Sequence, residues 1–191
     1  MIEKLSFLKN KTLTFITIGV VALFNCLTYS LKWSKNGFDF IEFVVFFALI
    51  ILLTVLFISI YLKNNKGILI STSAYLFYIV IKCFVENATM LDFYSKAKVG
   101  VSQVCCTLFG VLAALTLLIS FILFLINAFF SSSKFSRKTN IIVCLLGFVF
   151  GIVAFGLYFT FPEIEPSYVC SFLGLSVFCL SDIVLSFNIE N

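Results

Sequence analysis

Five polar residues, Ser71, Tyr75, Tyr78, Lys82 and Glu86, recur at intervals of four, three, four and four. At 100° per residue that spacing lays them along one stripe of a helix. Two phenols, an ammonium and a carboxylate in line could bind a polar solute or ion and line its path. Lys82 and Glu86 are four apart and can pair on that face. The same residues have a second use at a membrane boundary, where a lysine stem snorkels and tyrosines form a belt. Asp182 is the one acid well inside an apolar stretch, and a charge so placed is a functional candidate by default. Its other reading is an interfacial carboxylate paired with a base from a neighbouring turn.

The elements that carry these residues are read from gaps in charge. Val99 to Ser133 is 35 residues without Asp, Glu, Lys or Arg, and the whole chain is 62% hydrophobic and 12% charged. Soluble domains carry roughly 25% charged residues. A hydrocarbon core ~30 Å thick is crossed by a helix of about 20 residues. The gaps predict six membrane helices at about 12–31, 43–62, 68–85, 101–129, 140–160 and 167–187. The ~10-residue alternation of a membrane β-barrel is missing. The expected fold class is an all-α integral membrane protein, a six-helix bundle in one polytopic domain spanning 1–191.

Basic residues give the orientation. With the N-terminus inside, the inner side holds Lys4, Lys9, Lys11, Lys63, Lys66, Lys134, Arg137 and Lys138. The outer side holds Lys32, Lys35, Lys82, Lys96 and Lys98, and the acidic loop with Glu163 and Glu165. Both termini are expected in the cytoplasm, and the chain in the cytoplasmic membrane. The net charge of +4 then reflects topology, not a nucleic-acid partner. The first apolar stretch exceeds a 7–15-residue signal core, so it reads as a retained helix.

Packing surfaces are legible as well. Gln103, Cys106, Gly110, Ala113, Leu117, Ser120 and Asn127 recur near every 3.5 residues in the fourth helix. Gly147-x-x-x-Gly151, with Ala154 on nearly the same face, is a close-packing pattern in the fifth. It would serve an intramolecular contact or a dimer equally well. Thr14, Thr17, Asn25 and Thr28 share a face of the first helix and suit interhelical hydrogen bonding. The expected partners are the lipid bilayer and, beyond it, other membrane subunits or a second copy.

Several chemistries are excluded. The chain has no histidine, so Ser–His and Cys–His nucleophiles and His-ligated metals are ruled out together. There is no Gly-rich phosphate loop. The seven cysteines, Cys26, Cys83, Cys105, Cys106, Cys144, Cys170 and Cys179, show neither CxxC nor zinc spacing. No cofactor and no metal is expected. Asn87-Ala88-Thr89 is a glycosylation sequon on the outer side.

One stretch, Gly174-Leu175-Ser176-Val177-Phe178-Cys179-Leu180-Ser181-Asp182-Ile183-Val184-Leu185-Ser186-Phe187-Asn188, resembles the second aspartate-bearing segment of the lysoplasmalogenase-like membrane hydrolases. The resemblance implies that Asp182 acts with a second aspartate on an earlier helix. The chain has only two others, Asp39 and Asp92, both expected in outer loops. The leading expectation is therefore a non-catalytic accessory or structural membrane subunit. The alternatives are a small-solute binding or transport protein using Tyr75, Tyr78, Lys82 and Glu86, and a hydrolase centred on Asp182.

Overall fold

A computed structural model describes residues 10–96, 100–129, 137–161 and 164–189. Lys4, Lys9, Lys98 and Lys134 from the charge count, and Glu163, lie outside the described residues. Six helices follow in order: α1 (Lys11–Asn36), α2 (Phe40–Tyr61), α3 (Asn65–Lys96), α4 (Val101–Phe129), α5 (Arg137–Tyr158) and α6 (Pro166–Asn188). Each is long and apolar enough to cross a membrane.

Local chemistry explains where several helices begin and end. The Asn10 side chain accepts from the Thr12 amide at 2.9 Å and starts α1. Gly37, at φ +84°, ends it, since a side chain there would strain the backbone. The Asp39 carboxylate caps α2 by accepting from the Ile41 and Glu42 amides. The tight turn into α3 is closed by Asn64, whose side-chain oxygen accepts from the Gly67 amide at 3.0 Å. Pro166 occupies the first turn of α6, where its missing N–H costs nothing.

Two helices run well past the expected ends. α1 continues to Asn36 instead of stopping near residue 31, and α3 continues to Lys96 instead of 85. A gap in charge marks the segment that suits lipid, and nothing in a charged residue stops a helix. At 1.5 Å per residue α3 is about 48 Å long, more than the hydrocarbon core requires. The extension of α1 matters most, because it moves Lys32 and Lys35 from a loop onto helix.

The helices close into a ring. Each packs against its neighbour in sequence, and α6 returns to pack against α1. Apolar side chains such as Phe47, Ile51 and Ile58 of α2 point outward, as a lipid-facing surface requires. Buried Val21, Leu76, Leu117 and Phe178 fill the middle. Charge is divided between the two ends. Among the described residues, Lys63, Lys66, Arg137 and Lys138 share one end, and Asp39, Glu42, Glu86 and Glu165 the other, where they are joined by Lys32, Lys35 and Lys82.

The small residues are used inside the bundle. A Cβ on Gly147 would meet Thr116 Oγ1 of α4 at 2.5 Å and Cys179 Sγ of α6 at 3.2 Å. One on Gly151 would meet Ser176 Oγ at 2.9 Å. Ala154 is fully buried, and its carbonyl accepts from the Cys106 thiol at 3.2 Å. One seam of α5 therefore touches α4 and α6 together. Gly110 serves another contact, with the Asn87 side chain where its Cβ would be. That contact buries Asn87, so the sequon nitrogen faces the bundle and donates to the Cys83 carbonyl.

Candidate functional site

The polar stripe of α3 points into the ring, where it meets α1 in three rungs. Asn25 donates to the Tyr75 hydroxyl at 2.6 Å. The Tyr29 and Tyr78 hydroxyls share a hydrogen bond. Lys32 Nζ lies 3.7 Å from Glu86 Oε1. Both helices run the same way, so the rungs climb in step: 25 to 75, 29 to 78, 32 to 86. α1 and α3 are not adjacent in the ring, and these rungs join them across it. Ser71, the fifth member of the stripe, returns its hydroxyl to the Gly67 carbonyl of its own helix.

The top rung is a small charged cluster. Lys82 stands 3.9 Å from the same Glu86 oxygen, and its side chain is 14% exposed. It also lies 5.7 Å from the centre of the Tyr29 ring, within range of a cation–π attraction. Ser171 of α6 is 3.5 Å from Glu86 Oε2. Every one of these contacts is long. Glu86 Oε1 is buried and has no hydrogen-bond partner among the described residues, although two ammonium groups face it.

Space lies beside the cluster. One cavity is bounded by Asn25, Tyr75, Lys82 and Ser171, and another by Glu86, Asn87, Gly110 and Ser171. Each measures about 20 Å³, room for a water molecule. At the same end, Lys35 lies 3.1 Å from Glu165, just before α6. Burial by itself would raise the Glu165 carboxyl. Hydrogen bonds from Ser167 and Lys35, with the charges of Lys35 and Lys32, more than offset that and hold it below its ordinary value.

Asp182 belongs to a different group at the opposite end. Fully buried, it faces Ser120 of α4 at 2.6 Å, and Asn140 and Cys144 of α5 at 3.5 and 3.2 Å. No cation lies within ion-pair distance of it among the described residues. Arg137, the nearest base in sequence to this seam, instead donates to the Ser186 and Ile189 carbonyls. It thereby satisfies the open carbonyls at the end of α6. Phe178, one turn before Asp182, packs on Tyr75 of the α3 stripe with ring centres 4.7 Å apart.

The structure thus brings Tyr75, Tyr78, Lys82 and Glu86 together and leaves Asp182 apart from them. A partner aspartate for Asp182, implied by the hydrolase resemblance, is not beside it. Asp39 caps α2 at the far end, and the Asp92 side chain is outside the described residues. Sequence reasoning missed Tyr29 and Lys32. Their signal was the spacing of Asn25, Tyr29 and Lys32, hidden by ending the first helix at residue 31. It also missed Asn140, the first residue of the expected fifth helix.

No group of His, Cys, Asp and Glu among the described residues could hold a metal ion. All seven cysteines are unpaired. Compared with known proteins, the chain matches no family model, no curated sequence and no solved structure.

Proposed function

We propose that this multi-pass membrane protein binds, and moves, a small anionic solute at the Lys32–Lys82–Glu86 cluster. One observation carries the reading: two ammonium groups share a single carboxylate inside the bundle, at distances too long for direct hydrogen bonds. Charge retained within a membrane helix is costly and is normally kept for use. The surplus of one positive charge suits a monovalent anion such as a small carboxylate. The two neighbouring cavities, about 20 Å³ each, have room for no more than a water molecule, so this conformation is a closed one. Entry requires α6 to move away from α1 or α3, since Ser171 and Leu175 wall both cavities.

Thermal stability of the purified protein against a panel of small carboxylates and inorganic anions tests this. Wild type should be stabilised by at least one of them. Lys82→Met and Lys32→Met should each fold and lose that response. An anion that stabilises all three proteins equally removes both lysines from its site. No response from any anion overturns the reading and favours an accessory membrane subunit.

A further inference from the structure

We infer that Asp182, with Ser120, Asn140 and Cys144, forms a proton-binding site in which the carboxyl carries its proton in this conformation. The argument is a count of hydrogens. Ser120 Oγ lies 2.6 Å from Asp182 Oδ2 and 2.7 Å from Asn140 Oδ1. Both separations are those of O–H···O hydrogen bonds. A hydroxyl has one hydrogen to give, and an amide oxygen has none. The second hydrogen comes from the carboxyl. Asp182 donates to Ser120, Ser120 donates to Asn140, and the Asn140 amide donates back toward Asp182 Oδ1 at 3.5 Å. The Cys144 thiol, 3.2 Å from Oδ2, completes the shell.

The alternative orientation of the Asn140 amide does not rescue an ionised carboxylate. Turning it lets nitrogen donate to Ser120 and Ser120 to Asp182. It also sets the amide oxygen against Asp182 Oδ1, which then has no donor. An ionised carboxylate would hold one bare oxygen in an apolar interior, at high cost. The acid form leaves no member unpaired.

Among the described residues, the surroundings supply no charge to change that balance. α4 presents Ser120, α5 presents Asn140 and Cys144, and α6 itself places Cys179 nearby. On α1, Thr17 meets Ser181, the neighbour of Asp182. Arg137, at the end of this seam, is committed to the carbonyls of Ser186 and Ile189. The site therefore takes H⁺ alone: a carboxylate and a proton give a neutral acid, and separating α4, α5 and α6 removes the partners that hold it. Proton release is thereby linked to opening at the Arg137 end.

Infrared spectroscopy of the full chain in lipid bilayers tests this, with ¹³C in the aspartate carboxyl. The chain has three aspartates, and Asp39 accepts two backbone N–H bonds at the surface. At neutral pH an isotope-shifted carbonyl band of a protonated acid is expected, sensitive to D₂O. Asp182→Asn should abolish it. Ser120→Ala, a milder change, should move it to higher frequency by removing its acceptor. A labelled sample with no such band, or a band that neither variant alters, overturns the inference.

Discussion

The Asn25 amide and the Tyr75 hydroxyl meet at 2.6 Å across the interior of the ring, both buried. Asn25 spends its other N–H on the Val21 carbonyl of its own helix. This rung is the deepest of the three that join α1 to α3. Tyr75→Phe keeps the ring against Phe178 and deletes only the hydroxyl. Stability should fall by about 0.6–1.7 kcal/mol, the range of single interhelical hydrogen bonds in membranes. A double-mutant cycle with Asn25→Ala checks it. Additive losses would mean that the two groups do not interact.

The α5 seam predicts a sharp contrast between glycines. Gly147→Leu and Gly151→Leu force side chains into α4 and α6, and overpacking of this kind costs about 1–3 kcal/mol. Gly156 has nothing within 4 Å of its Cβ position. Gly156→Ala should therefore stabilise the protein by about 0.5–1 kcal/mol through helix preference alone. Unfolding in a mild detergent measures all three. Tolerance of leucine at 147 and 151 would place this face against lipid.

Charge at the two ends predicts an orientation. Lys63, Lys66, Arg137 and Lys138 share one end, and we expect it to face the cytoplasm. Ser34→Cys, exposed at the other end, should react with an impermeant thiol reagent in intact cells. Asn64→Cys should react only after permeabilisation. The opposite labelling pattern would invert the assignment and put the lysine cluster on the cytoplasmic side.

Much of this architecture was legible because lipid imposes one strong rule: charge is kept out of long apolar runs. Six helices followed from that rule; spacing also drew the stripe of α3 and the small-residue face of α5, but left open whether either turned inward. Helix ends were less legible. Lys32 interrupts an apolar run, yet its partner Glu86 lies 54 residues away, and only the fold shows that the pair faces inward. The Asp182 group was hidden for the same reason. Ser120 belonged to a face that reads as packing, and Asn140 sits next to a basic turn. Their convergence depends on three helices meeting at one level, a relation that no local spacing encodes.

The closure of α6 onto α1 has a consequence for biogenesis. In a membrane protein made from its N-terminus, α1 enters the bilayer long before α6 is synthesised. Until then Thr17 and Gly174's neighbour Phe24 lack their opposite wall, and the seam of α5 lacks half of its own. The ring stays an open arc for most of its synthesis, its two edges bare to lipid. A late, long-range contact of this kind slows assembly and leaves partly built chains open to capture by other helices. α6 is thus the piece whose arrival turns a row of inserted helices into a finished enclosure.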